Sequence, residues 1–386
     1  MNTRREISRI SSLFFALLVV AIAAPPVGAA PSPQASNAGT VTVMTRNLYV
    51  GADLAAAVEA ILSGDPGAIV AAVSEVWAKV QFTDFPARAE GIAREIAAAK
   101  PDLVGLQEAE LWRSQTPADF VMGNAHHVEY DFVGILLQEL EARGLHYTVV
   151  AEEKGFDIEL PGFLSEAAAL EGVVSDIRLT DREVILARID PKDSDVKIFN
   201  SRDGHFVTNL EFPVSPDFTF VLLRGWASVD ARVRGRSFRF VTTHLEADSE
   251  EVREAQALEV VAGPANTDLP VILVADSNSN ANGDATSAAY GSFIGAGFTD
   301  AWFEAHPGEF VSTCCADELL VSPVLPAPTD DEGRIDLILY RAAGDFSTLG
   351  VDLLGKDPDT DRVFNGVTLI WPSDHAGVAA KLQVPK

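Results

Sequence analysis

The chain has 386 residues, 47% hydrophobic and 22% charged, with a formal net charge of −27. That balance leaves ample apolar material for a core, and it excludes the basic footprint of a tight, metal-free polyanion binder. It does not exclude an enzyme whose bound cation supplies local positive charge. Two adjacent cysteines, Cys314 and Cys315, exclude zinc-finger spacing and leave a vicinal disulfide or pairing between chains.

Residues 1–30 begin with Arg4, Arg5 and Arg9, run apolar from Leu13 to Ala24, and end in small residues at Gly28 to Ala30. This is the layout of a secretory signal peptide, with Arg4–Arg5 a faint twin-arginine pattern. The apolar run is about 12 residues, short of the roughly 20 that span a bilayer, so no stable membrane anchor is expected. Residues 31–39 read as a flexible leader. One domain over 40–386, acting as a monomer, is the economical organisation.

From residue 40, strand and helix signals alternate. TVTVMTR alternates with period two and predicts a strand ending at Asn47. DLAAAVEAILSG predicts a helix stopped by Gly64, and FPARAEGIAREIAAAKP a second, with Pro86 near its start. DLVGLQEAE is a short buried strand running into acidic residues. DFVGILLQELEARG predicts a helix, and YTVVAEE, REVILARID and VKIFN predict strands. FTFVLLRGWASVDARV and FRFVTTHLEAD predict a long hairpin turning at Arg234–Gly235. Its arginines Arg224, Arg232, Arg234, Arg236 and Arg239 either face a substrate or form the wet side of the hairpin. SEEVREAQALEVVAG predicts a helix capped by Ser249. PVILVADSNSN, RIDLILYR and HAGVAAKLQV predict the last three strands. The acidic stretch 152–177 and the proline-rich stretch 322–333 read as surface loops. Helices mixed with hairpins and buried strands predict an α/β fold built on mixed sheets.

The polar residues fall at the strand ends. Asn47, Glu108, His244, Asp276 with Asn278, and Asp374–His375 each terminate or open an apolar strand, whereas Asp336 is expected inside one. Singly, each has an ordinary reading as a turn former, a cap or a solvated strand end. Together they deliver only Asp, Glu, Asn and His to what should be one sheet edge, where such proteins place ligand sites. Carboxylates and amides without a cysteine ligand favour a hard cation such as Mg²⁺, Mn²⁺ or Ca²⁺. Histidines with acidic partners suit proton transfer, and the set as a whole suits attack of water on a phosphate ester. G-x-S-x-G and Walker motifs are absent.

RNLY, LQEAE, TTHLEAD, VADSNSN, RIDLILYR and SDHAGVAAKL follow one another as in the endonuclease/exonuclease/phosphatase superfamily, which the chain resembles over residues 40–386. Its members resemble deoxyribonuclease I, abasic-site exonucleases, neutral sphingomyelinases and inositol polyphosphate 5-phosphatases. Where the family usually carries G-D-x-N, this chain has A-D-x-N at Ala275–Asn278. The resemblance implies a four-layer sandwich of two packed mixed sheets flanked by helices. It implies that Glu108, with Asn47 and Asp374, holds the metal, and that His375, oriented by Asp336, and His244 contact the phosphate. It also implies that Asp276 aligns or deprotonates the attacking water, that Asn278 donates to developing charge, and that Arg182 contacts phosphate. The function implied is an exported, divalent-metal-dependent phosphodiesterase, nuclease-like on nucleic acid. The alternatives are a sphingomyelinase-like or inositol phosphate phosphatase, or an inactive binding module on the same scaffold.

Overall fold

In the computed structural model, residues 39–190, 195–215, 218–282, 287–325 and 333–386 are described. The expected signal peptide (1–30), nearly all of the expected leader (31–39) and residues 326–332 of the proline-rich stretch lie outside them.

Two β-sheets carry the architecture. The strands of the first are β1 (Thr40–Asn47), β2 (Leu103–Gln107), β3 (Leu111–Gln115), β4 (His127–Asp131), β5 (Tyr147–Gly162), β6 (Ser175–Arg188), β15 (Ser347–Leu354) and β18 (Gly377–Gln383). Their order is β15-β18-β1-β2-β6-β3-β4, with β5 on the other side of β6. The second sheet holds β7 (Val196–His205), β10 (Gly225–Val233), β11 (Arg236–His244), β12 (Val271–Asp276), β13 (Thr299–Asp300) and β14 (Asp336–Arg341), in the order β13-β14-β12-β11-β10-β7. Two short ribbons, β8 (Leu210–Ser215) with β9 (Phe218–Leu222) and β16 (Val363–Phe364) with β17 (Leu369–Ile370), stand outside the sheets. Both sheets mix parallel and antiparallel pairs: β1 runs parallel to β2 and antiparallel to β18, and β11 runs parallel to β12 and antiparallel to β10.

The sheets pack face to face over Val41, Val43, Leu103, Val229, Phe240, Val274, Ile338 and Val378, all buried. Their approach is close enough that a Cβ on Gly105 of β2 would lie 2.4 Å from Val274 Cγ2 and 2.6 Å from Thr242 Oγ1, so only glycine fits there. On the outer face of the first sheet lie α1 (Ala55–Ser63), α2 (Pro66–Thr83), α3 (Phe85–Ala99) and α4 (Phe132–Ala142), with α5 (Glu166–Glu171) between β5 and β6 in the chain. On the outer face of the second lie α6 (Glu250–Ala262) and α7 (Ala288–Gly295), followed in the chain by α8 (Ala301–Ala305). This is the four-layer sandwich expected. Residues 38–386 form one compact unit, and among the described residues no helix is long and apolar enough to cross a membrane.

Local signals explain most elements. Gly64 closes α1 at φ 69°, Ser249 Oγ caps α6 by accepting from Val252 N, and Arg234 and Gly235 turn the β10–β11 hairpin at φ 46° and 82°. Four expectations change. The acidic stretch 152–177 is no loop: β5 continues to Gly162 because it pairs along β6, and Glu153, Phe156 and Glu159 are buried. Helix α2 went unread, although Asp65 Oδ1 caps it and Pro66 opens it. The long hairpin begins at Gly225, since residues 218–222 pair instead with β8. Strand β15, on the edge of the first sheet, lies between the strands expected to be the last two. Cys314 and Cys315 are joined as a vicinal disulfide.

Candidate active site

Strand register brings the polar strand ends together. In the second sheet, His244 pairs with Asp276 and Asp276 with Asp336, so one lateral row crosses β11, β12 and β14. Asp336 is therefore the first residue of β14, not an interior one, and all the residues of the set share one edge of the sandwich. In the first sheet, Asn47 pairs with Gln107, which places Glu108 just past the end of β2. The segment Ser373–His375 leads into β18 beside them.

Glu108 and Asn278 both take left-handed backbone, at φ 50° and 46°. Such conformations cost a non-glycine residue of order 1 kcal/mol or more and gather where a side chain must be aimed. Asn47 is fully buried; its Nδ2 donates to Glu108 Oε1 (2.8 Å) and to Asp276 Oδ2 (2.9 Å). Its Oδ1 accepts from Tyr49 N at 2.8 Å, so it presents a donor, not an oxygen, to the two carboxylates. Val50 N donates to Glu108 Oε2 at 2.6 Å. Asp276 Oδ2 also lies 3.4 Å from His244 Nε2 and 3.7 Å from His375 Nε2. His375 Nδ1 meets Asp336 Oδ2 at 2.8 Å, and Asp374 Oδ1 stands 3.9 Å from His375 Nε2.

Electrostatics separate the two histidines. Burial pulls the His375 imidazole down, but Asp336, Asp374 and Asp276 outweigh it and hold it well above the usual range, as an imidazolium. His244 has no such compensation: burial, Arg224 and His375 push it well below the usual range, and it is neutral. Asn278 Nδ2 donates to Leu245 O (2.8 Å) and lies 3.1 Å from His244 Nε2. With Nε2 accepting, the proton of His244 sits on Nδ1, which is buried without a partner. One amide hydrogen of Asn278 thus orients His244, and the other is held by Leu245 O. Burial and the neighbouring Asp374 raise Glu108 to about 7, and burial with Asp336 raises Asp276 to about 6 against the pull of His375.

The donor set fits a hard divalent cation. Ligand atoms of Glu108, His244 and Asp276 lie within 4.8 Å of one another, and the Asp374 carboxylate raises the proton affinity of Glu108, a repulsion that a cation relieves. A second grouping, Cys314, Cys315 and His375, offers no thiolate because the sulfurs are bonded to each other.

Arg182 is placed elsewhere than the resemblance implies. Strands β2 and β3 pair end to end along the same side of β6, with Glu108–Glu110 in the gap between them. Arg182 clasps that gap: its Nε donates to Ala109 O (2.6 Å), and its Nη2 donates to Glu110 O (3.1 Å) and Asp131 Oδ1 (2.6 Å). Among the hairpin arginines, Arg234 pairs with Asp102 and Arg239 with Asp230. Arg224 is buried within the field of Asp181, Glu246, Glu183 and Glu108.

Three supports were not read from the sequence. Arg88 of α3, fully buried, donates to Leu48 O, to Tyr49 O (3.1 Å) and to Pro372 O (3.3 Å), tying the loop after β1 to the segment before β18. Arg46 pairs with Glu95 at 3.0 Å and donates to His375 O. Thr313 Oγ1 accepts from Asp336 N at 3.1 Å, and Thr313 O accepts from Ala376 N at 2.7 Å. A buried arginine facing only carbonyls leaves no charge partner to notice, although an arginine inside the apolar strand VTVMTR was a visible anomaly.

Among curated proteins, none matches this chain in sequence. Solved structures share its fold. A mannosyl-6-phosphatase from Bacteroides thetaiotaomicron VPI-5482 is 18% identical with a TM-score of 0.51, covering 89% of this chain and 99% of its own. An endonuclease/exonuclease/phosphatase family protein from Bacteroides thetaiotaomicron is 18% identical with a TM-score of 0.52, covering 90% and 98%. One from Bacteroides vulgatus is 16% identical with a TM-score of 0.51, covering 90% and 99%. The sequence model of the Endonuclease/Exonuclease/phosphatase family matches residues 61–375. With the strand-end acids, amides and histidines gathered at one edge of this sandwich, the chain belongs to that family of phosphoester hydrolases.

Proposed function

We propose that the protein is an exported, divalent-cation-dependent phosphodiesterase that hydrolyses its substrate by in-line attack of water. The observation carrying this reading is the convergence on Asp276 Oδ2 of Asn47 at 2.9 Å, His244 at 3.4 Å and His375 at 3.7 Å. Export is supported by the basic, apolar and small-residue layout of residues 1–30.

Glu108 and Asp374, beside Asn47, would hold Mg²⁺ or a similar cation, which when bound neutralises charge on a phosphoryl oxygen. Every other part falls to side chains of this chain. His375, kept charged and oriented by Asp336, donates from Nε2 to the oxygens that gain charge as phosphorus is attacked. Asp276, raised to about 6, accepts a proton from the attacking water and aligns it opposite the leaving group. Asn278 N donates to Asp276 Oδ1 at 3.1 Å, and the Asn278 side chain orients His244, which remains neutral beside Oδ2. Arg182 keeps the Glu108 loop in place from behind.

The test is cation-dependent hydrolysis of bis-p-nitrophenyl phosphate, with p-nitrophenyl phosphate and plasmid DNA in parallel. Hydrolysis of the diester, abolished by a chelator and by His375→Ala, is expected. Hydrolysis of the monoester alone would replace the diesterase reading with a phosphatase, and folded protein inactive on all three would leave the inactive binding module.

A further inference from the structure

A cavity of about 480 Å³ opens between the helices of the first sheet and the β8–β9 ribbon, a size usual for small-molecule sites. Its wall is almost wholly apolar: Trp112, Ile177 and Leu179 from the outer face of the sheet, Val76 from α2, and Phe220 from the ribbon. The polar exceptions, Asp53, Glu59, Asp248 and Arg224, lie on α1, the loop before it and the loops around the active site. Arg224 is 8% exposed with its Nε buried and unpartnered, and its charge is felt by both Glu108 and His244. Trp112 is tied to the same place, because its Nε1 donates to Val50 O (3.3 Å) while Val50 N holds Glu108.

Trp112 and Val50 therefore link the cavity wall to the Glu108 carboxylate. A substrate with phosphorus beside Glu108 and His375 has an apolar chamber next to one of its ester groups. Apart from those four polar residues the lining offers no free side-chain group to hydrogen-bond a sugar or a base, whereas its apolar wall would remove a hydrocarbon chain from water. Building on the phosphodiesterase reading, we infer that the substrate is a single-chain lipid phosphodiester whose hydrocarbon tail lies in this cavity.

The experiment compares methyl, butyl and octyl p-nitrophenyl phosphates, together with calorimetric binding of octyl phosphate. kcat/KM is expected to rise about fourfold per methylene, the value of about 0.8 kcal/mol for each buried CH₂. Ala57→Phe, on the α1 wall, narrows the chamber with an aromatic ring. It should collapse the octyl-to-methyl ratio and weaken octyl phosphate binding, with the melting temperature confirming a folded variant. Hydrolysis of the methyl ester with no dependence on chain length would overturn the inference and leave the phosphodiesterase reading intact. If no ester is hydrolysed, that reading falls, and calorimetry decides the cavity alone: octyl phosphate binding lost in Ala57→Phe supports it, and binding absent or unchanged overturns it. Octyl phosphate at millimolar concentration competing equally in both proteins would mark the tail as bound elsewhere.

Discussion

His375 Nδ1 and Asp336 Oδ2 stand 2.8 Å apart, although one residue leads into a strand of the first sheet and the other opens a strand of the second. The pair closes the sandwich across its catalytic end. It also fixes which ring nitrogen of His375 is turned toward Asp276.

Asp336→Asn removes the carboxylate nearest the imidazolium while keeping a hydrogen-bond partner. Asp336 raises the affinity of His375 for its proton, so its loss lowers that affinity, and the imidazolium is lost at lower pH. The alkaline limb of the kcat/KM profile should move to lower pH, with a loss of at least tenfold at neutral pH. His375→Ala should cost on the order of 10³-fold, by analogy with removal of a single oxyanion donor. An unshifted limb in the Asn variant would assign the titration to another group.

Cation binding should be strongly pH dependent. Without metal, the folded-state carboxyls of Glu108 and Asp276 hold protons up to about 7 and about 6. Because these values are raised, their contribution to stability is complete below the ordinary carboxyl range, about 4, and is lost as pH rises through them. A divalent cation restores stability only where it displaces no proton. The rise in melting temperature on adding Mg²⁺ should be largest near about pH 8 and close to zero near about pH 5. A cation effect independent of pH would move the site away from Glu108.

Arg182→Lys distinguishes a clamp from a substrate contact. Lysine cannot bond Ala109 O, Glu110 O and Asp131 at once. The variant should lose about 3 kcal/mol of stability, the scale of charged hydrogen bonds lost from a buried site. It should also lower kcat, since Glu108 rides on the same loop, and leave KM within about twofold. A raised KM with unchanged melting temperature would restore the phosphate-contact role.

Arg88→Met should be among the most destabilising single changes, about 3–5 kcal/mol, because it leaves the carbonyls of Thr83, Leu48, Tyr49 and Pro372 without donors in the interior. Chemical denaturation measures this directly. A cost under about 1 kcal/mol would mean that water satisfies those carbonyls.

Period-two strands such as TVTVMTR, the caps at Gly64 and Ser249, and the apolar run of VILVAD are legible in the sequence because each is set by residues within one turn or strand. The strand-end acids, amides and histidines are legible for the same reason: a charged residue next to an apolar strand is visible locally. The row His244–Asp276–Asp336 is not, since it depends on register between strands up to 60 residues apart in the chain, nor is the length of β5, which β6 imposes by pairing. Arg182 shows the limit most plainly. Its side chain is a free cation in the sequence, and only the end-to-end pairing of β2 and β3 along β6 decides that it grips the backbone behind Glu108. The sequence by itself determined the inventory of chemistry, because residue type and strand-end position are local properties. The tertiary structure alone decided which groups face one another, which histidine carries a charge and where an apolar chamber meets the site, because those follow from distances and burial between segments remote in the chain.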